Sequence, residues 1–393
     1  MPCFYLKNTV QKYDWGTNDF ISQLMNVSNP DNEPHAELWM GAHPKAPSVV
    51  LLKDTFKNLN DYIAEAPETI LGNTASALFD RQLPFLFKVL SAERALSIQA
   101  HPNIRQASTG FFKEEQAGIN ISAFNRNYKD CNHKPELLMA LTPFSAMCGF
   151  KSLPEIEHIL DNLDLLRYFP GAKEGYKQFF QDYLSLNEEA VVTDSLISRI
   201  KSFRSTNPSL SIISGWVLKL HSQYGLQAGI LAPLFLNTIH LQPGEALYLS
   251  AGVLHAYLQG TGLEIMANSD NVLRGGLTSK HIDKDELLNI LDFDHQPPFL
   301  ISPEKNNNEM IYKTPALEFE LSQIVVSPMA EFSGETKSAE ILLCMSGECV
   351  LNCGLSLKKG DSLFITADTG SLQIKGEATI YRAKTPFKKV SVL

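Results

Sequence analysis

Four side chains with lone pairs suited to a divalent cation stand out: Gln99, His101, Glu136 and His255. Gln99 and His101 lie two apart in Ala95-Leu96-Ser97-Ile98-Gln99-Ala100-His101, whose small or polar residues alternate with apolar ones. A strand's two-residue period puts both side chains on one face. Glu136 opens the apolar run Leu137-Leu138-Met139-Ala140-Leu141. A carboxylate at the edge of a buried strand needs a partner, because an unpaired buried charge is costly. His255 follows a small-residue turn, Ser250-Ala251-Gly252. Two imidazoles, one carboxylate and one amide oxygen form a mixed N/O set suited to Zn²⁺ or a similar divalent ion. With a single anionic ligand such a site keeps net positive charge, which favours Lewis-acid chemistry over a purely structural role. Taken singly, each residue also has a plainer reading: a core histidine, or a strand-edge surface charge at Glu136.

The stretch Ser250–Thr278 carries His255 and then Glu264, Asp270 and Arg274, the last followed by Gly275 and Gly276. A few polar groups spaced along a mostly apolar or small segment suit the floor of a pocket. Asp270, between Asn268 and Asn271, equally fits a turn that its own side chain closes.

The elements that must position these residues are mostly strands. Leu83–Leu90 reads as a strand by its apolar, partly β-branched character. Tyr13-Asp14-Trp15-Gly16 reads as a turn, Pro47–Leu52 as a β-like patch, and Phe56–Ile63 with the region near Ile70 as helical. Between Pro154 and Tyr224 the pattern turns helical: Ile156, Ile159, Leu160 and Leu163 recur at helical spacing, as do Val192, Leu196, Ile197 and Ile200, and Ser209–Tyr224 is a further helix. Ser152 is placed to cap the first of about four such helices, with Pro154 in its first turn. Strand character returns over Leu234–Leu249, with a tight turn at Pro243-Gly244. His281–Leu291 reads as a helix and Pro297–Asn308 as a linker. After Pro315, short strands alternate with turns at Ser346-Gly347, Lys359-Gly360-Asp361, Thr369-Gly370 and Lys375-Gly376.

The expected fold is mainly β: a β-barrel interrupted by an inserted run of helices, followed by a strand-rich terminal module. The division reads as residues 1–151 and 231–314 for the catalytic domain, 152–230 for the helical insert, and 315–393 for a terminal β-sandwich. That last module contains no histidine, so no metal is expected there.

At 393 residues, 44% hydrophobic and 20% charged, the chain has the composition of an ordinary globular protein. A net charge of -9 argues against a general nucleic-acid binder, and no apolar run reaches the ~18 residues of a membrane helix. The cysteines at 3, 131, 148, 344, 349 and 353 form no CxxC pair and fit no common zinc spacing. Reduced thiols in the cytoplasm are expected.

Several separated motifs carry a resemblance. SIQAHPN, HKPELLMAL and the long SAGVLHAY…E…NSDNVLRGGLT pattern, together with YDWG and ELWMGAHP, resemble type I mannose-6-phosphate isomerase, a zinc enzyme of the cupin superfamily. The resemblance spans essentially the whole chain with the motifs in the expected order, and it implies a mainly β fold of cupin or jelly-roll β-barrels with an inserted α-helical domain. Ser250 departs from it, standing where the family often has proline.

The resemblance implies one zinc ion per chain, bound by Gln99, His101, Glu136 and His255, and an active-site role for Arg274. It places Lys88, Ser97, Lys134, Tyr257, Glu264 and Lys280 along the pocket. It implies interconversion of mannose 6-phosphate and fructose 6-phosphate by proton transfer between C1 and C2 through a cis-enediol, with a phosphorylated hexose as partner; a monomer is expected. Arg274, a fixed cation, suits charge stabilisation or phosphate orientation. Lys88 and Ser97 offer a charge and a hydroxyl to a phosphate. For the base, Lys134 is a candidate, because a cation held by Glu136 would lie close and favour the uncharged amine. Glu264 and Asp270 are carboxylate alternatives, and His133 reads as a hydrogen-bonding support. Rival readings are another metal cupin enzyme, such as a cupin-type glucose-6-phosphate isomerase or an Fe²⁺ dioxygenase, and a non-catalytic sugar-binding cupin.

Overall fold

The computed structural model describes residues 2–52, 55–206, 210–294 and 297–386. Among them are two antiparallel sheets of eleven strands each and a cluster of helices. The fold is mainly β with a helical insertion, as expected.

The sheet that matters for chemistry is organised around one long strand, His255–Ala267. Its second half pairs with Phe85–Ala92 on one side and Glu136–Ala140 on the other. Its first residues pair instead with Phe144–Phe150, and His255 itself with Gln99. The change of partners falls at a register shift after Tyr257 and at Gly260, whose φ is +126°. A Cβ on Gly260 would lie 2.7 Å from the Pro143 carbonyl oxygen, so only glycine lets the strand cross from one group of partners to the other.

Period two then sorts the side chains. Leu38, Met40, Phe85, Phe87, Val89, Leu137, Met139, Leu263 and Ile265 share one core cluster with Leu321, Ile341, Leu343 and Phe364 of the second sheet. That face is the seam between the sheets. The intervening residues, Glu37, Trp39, Lys88, Glu136 and Glu264, therefore face the other way. Cross-strand register aligns them, with Trp39 opposite Lys88, Lys88 opposite Glu264, and Glu136 opposite Met266. The apolar pattern that glues the sheets together thus presents an ionic row on the opposite face.

The helical segment comprises Leu153–Asn162, Tyr176–Leu184, Glu188–Val191, Asp194–Thr206 and Ser211–Tyr224, followed by a 3-10 turn at Ala228–Leu234. Ser209, expected to open the last helix, lies outside the described residues. Ser152 holds the N-cap position of the first helix with Pro154 in the first turn, but its side chain makes no capping bond. These helices share their core with Ile98, Ala100, Leu254, Leu273 and Leu277, so they pack beneath the strands that carry Gln99 and Arg274. Tyr183 donates a hydrogen bond to the Gly275 carbonyl at 3.0 Å, tying the helices to the Arg274 strand.

Some expectations differ locally. Thr55–Asn58 is a strand paired with Val49–Leu52, and the helix starts only at Leu59. His281–Leu291 is helical over Lys284–Ile290 alone. Pro297–Asn308 is not a bare linker: Phe299–Ile301 pairs with Ala246–Tyr248 in the first sheet, and Glu304–Asn306 begins the second. The opening strand Cys3–Lys7 pairs with Ser362–Ile365, so the second sheet draws on both ends of the chain. Its other face is packed with apolar side chains, including Leu342, Cys344, Cys349 and Ile374.

Candidate metal centre and active-site cleft

Strand ends bring the four expected ligands together. Gln99 lies on the short strand Ile98–Ala100 and His101 just beyond it; Glu136 and His255 are each the first residue of a strand. Gly252, in the turn that starts at Ser250, donates its N–H to the His101 carbonyl at 2.8 Å and so joins the loops of two ligands.

Each histidine is oriented by a backbone carbonyl. His101 Nδ1 lies 2.7 Å from the Asn271 oxygen and His255 Nδ1 2.9 Å from the Val253 oxygen. With Nδ1 as donor in each ring, Nε2 carries a bare lone pair. Both lone pairs face one carboxylate: His101 Nε2 is 3.2 Å from Glu136 Oε1 and His255 Nε2 is 3.6 Å from Glu136 Oε2. His101 Nε2 is buried with no aligned hydrogen bond, although it lies within ionic distance of Glu136. The Gln99 amide reaches 3.5 Å from His255 Nε2. Three acceptors aimed at one another, their ligand atoms all within 4.8 Å, are satisfied by a cation between them.

The electrostatics agree. Burial pushes the His255 imidazole down to about 4, and burial with the nearby Lys134 charge lowers that of His101, so both rings are neutral near pH 7. Burial works against ionisation of Glu136, but the Lys134 charge beside it leads the effects that outweigh burial and hold its carboxyl well below the usual range. Neutral imidazoles beside an ionised carboxylate are the protonation states that a metal requires.

The site opens into a cleft of about 630 Å³ lined by Ser97, Gln99, Lys134, Glu136, Tyr257 and the rest of the ionic row. Lys134 Nζ rests 3.3 Å from Glu136 Oε1, its one ion pair among the described residues. Lys88 is held more tightly: it donates to Glu264 at 2.7 Å and lies 3.7 Å from Glu37. Burial alone would lower its proton affinity, but the two carboxylates reverse that, and Lys88 stays charged. Burial raises the Glu264 carboxyl against the opposing pull of Lys88. The Tyr257 hydroxyl points at Glu136 Oε2 from 3.4 Å, and burial keeps it protonated.

Arg274 and Lys280 line the same cleft, with no ion pair for either among the described residues. Burial disfavours both charges, and Lys280 is further lowered by Arg274 beside it. Asp270 differs: it is tied to Lys45 at 2.9 Å and His43 at 3.6 Å, and these contacts outweigh burial and hold its carboxyl far below the usual range. His133 does not support the ligands. Its Nε2 bonds Glu318 of the second sheet's region at 2.6 Å, outside the cleft lining.

Sequence reasoning missed Glu37, Trp39, His43 and Lys45 in this cleft. The alternation in Glu37-Leu38-Trp39-Met40 was a usable signal for the first two: polar or amphipathic residues on one face, apolar on the other.

The model of the type I phosphomannose isomerase catalytic domain matches residues 3–153, and that of the mannose-6-phosphate isomerase cupin domain matches residues 310–385. The chain is 40% identical to the mannose-6-phosphate isomerase of Escherichia coli strain K12 over 396 aligned positions, covering 96% of this chain and 98% of that protein. The human mannose-6-phosphate isomerase is 34% identical, covering 93% of each. Among solved structures, the mannose 6-phosphate isomerase of Salmonella typhimurium bound to substrate, fructose 6-phosphate, and zinc superposes with a TM-score of 0.88 at 37% identity, over 98% of this chain and 100% of that one. A zinc-bound holo form of mannose 6-phosphate isomerase also gives 0.88 over the same shares.

Proposed function

The chain belongs to the type I mannose-6-phosphate isomerase family, and from that premise we propose that its cleft interconverts mannose 6-phosphate and fructose 6-phosphate. The observation that carries the reading is the convergence of two bare imidazole nitrogens on the ionised Glu136, at one end of a cleft that also holds two cations with no ion pair among the described residues.

His101, Glu136, His255 and the Gln99 amide would hold one Zn²⁺. When bound, the ion supplies a Lewis acid that polarises substrate oxygens. Arg274 and Lys280 take the phosphate, whose dianion relieves the repulsion between them. With the phosphate held there, the sugar's C1 and C2 extend toward Lys134 and Glu136. The proton moves between C1 and C2 through a cis-enediol, on one face of the sugar.

We assign proton removal to Lys134 as the free amine, the form that a zinc cation held by Glu136 would favour. It is the least committed of the candidate bases, with one loose ion pair at 3.3 Å, whereas Glu264 is bonded to Lys88 at 2.7 Å and Asp270 to Lys45 at 2.9 Å. The low proton affinity of Asp270 also makes it a weak base. Lys88 and Glu264 hold sugar hydroxyls, Tyr257 steadies Glu136, and Ser97 offers a hydroxyl to the phosphate. No described helix is long and apolar enough to cross a membrane, and we place the enzyme in the cytoplasm, acting as a monomer.

Aldose–ketose assays on mannose 6-phosphate and glucose 6-phosphate, run without oxygen, test the proposal. Zinc-dependent turnover of the first is expected. Turnover confined to the second, or an absolute need for oxygen, would reject it.

A further inference from the structure

Lys88 has more counter-charge than it uses. Its ammonium donates to Glu264 Oε2 at 2.7 Å, yet a second buried carboxylate, Glu37, stands 3.7 Å away on the neighbouring strand. Glu37 is held in place: its Oε2 accepts the Trp39 indole N–H at 2.6 Å, leaving Oε1 aimed at Lys88. The Trp39 ring also lies beside the ammonium, 5.5 Å from ring centre to Nζ. One lysine therefore sits between two buried carboxylates, with a short bond to one and a gap to the other. Glu136 adds a weaker attraction from the metal end of the cleft.

An indole bond this short fixes one Glu37 oxygen, and a buried second oxygen needs a partner of its own. The approach of a sugar hydroxyl to Glu264 competes with Lys88 for the same oxygens. A lysine with one partner would then be left with a bare buried charge; a lysine with two can shift toward the second. We propose that Glu37 is a positioning residue for the isomerisation: it gives Lys88 a second seat, so that Glu264 can turn to a substrate hydroxyl without stranding the lysine's charge. Glu37 touches no reacting atom and acts through Lys88. The inference rests on the isomerase reading above.

The test is Glu37→Gln. The amide oxygen can still accept from Trp39, so shape is kept and only the second seat's charge is lost. The expected result is a kcat lower by roughly tenfold or more with KM within about threefold, because the loss is felt after binding rather than in it. In the Lys88→Met background the same substitution should add less than about twofold, since residues acting through one another are not additive. A full additional drop in that background, an unchanged kcat, or a loss confined to KM would overturn the inference. Trp39→Phe, which frees Glu37 while keeping its charge, should lower kcat in the same direction by a smaller factor, and full activity there would also count against it.

A measurement independent of turnover separates this inference from the isomerase reading. Acylation of Lys88 by an amine-directed reagent, followed by mass spectrometry, should be faster in Glu37→Gln than in the wild-type protein. Equal labelling rates would show that Glu37 does not govern Lys88. Wild-type protein that fails to turn over mannose 6-phosphate would remove the isomerase reading, whatever the labelling shows.

Discussion

Replacing Arg274 by methionine separates substrate binding from folding in one variant. Arg274 has no ion pair among the described residues, burial disfavours its charge, and it lowers the proton affinity of Lys280 beside it. In the free protein it is therefore a liability, and methionine of similar length should leave Tm unchanged or raise it. In the proposed complex its guanidinium would bond the phosphate. Hydrogen bonds to charged groups are worth about 1.5–3 kcal/mol, so KM for mannose 6-phosphate should rise roughly 10- to 150-fold, at about tenfold per 1.4 kcal/mol. If the phosphate is gripped equally in ground and transition states, kcat falls little. Steady-state kinetics at several salt concentrations give the answer, and KM of the variant should respond less steeply to salt than that of the wild type. A collapse of kcat at constant KM would move Arg274 from phosphate to developing charge. A clear fall in Tm would show that it has a structural partner after all.

Other substitutions probe other parts of the account. Glu136→Gln removes the anionic ligand, and zinc content measured by mass spectrometry should drop from one per chain to below about a tenth, with activity falling in parallel. In chelated protein the neutral form of His255 is favoured by folding, since its folded value of about 4 lies below the unfolded value near 6.5. That contribution is complete above the unfolded value and is lost as pH falls through the folded one, so the unfolding free energy from urea titrations should decline between about pH 6.5 and 4, by an amount of order 3 kcal/mol. In the second sheet the buried Arg382 bonds Glu340 through Nε at 2.6 Å and lies 3.4 Å from Glu309. Arg382→Met leaves two buried carboxylates without their cation and should cost about 3–5 kcal/mol in urea unfolding. Arg382→Met paired with Glu340→Leu should recover part of that loss.

Where the sequence was legible, the reason was local. Gln99 and His101 share a strand face by period two, Glu136 opens an apolar strand and His255 opens another just after a small-residue turn, features visible within a few residues. Ser152 with Pro154 marked a helix start for the same reason. The capping box of Asn103 and Gln106, which opens helix Ile104–Gln116, was as local and went unread. What a local pattern cannot report is the partner. Thr55–Asn58 is a short strand with mostly exposed side chains, so it shows no apolar alternation, and only pairing with Val49–Leu52 defines it. The proline- and asparagine-rich 297–308 segment has turn-like composition, yet each sheet recruits three of its residues at an edge. Cys3–Lys7 finds its partner some 360 positions along the chain. The ion pairs of Lys88 and Asp270 likewise depend on register between distant strands and loops, and decide which charges in the cleft remain open.

If this cleft is a zinc-dependent isomerase, its turnover must follow bound metal, and one titration tests that. Mannose 6-phosphate turnover is measured on the protein as purified, after exhaustive chelation, and during stepwise return of Zn²⁺, with bound metal counted at each step. Activity that vanishes with the metal and returns in proportion to zinc, saturating at one ion per chain, is the predicted result. Full turnover in metal-free protein would contradict it.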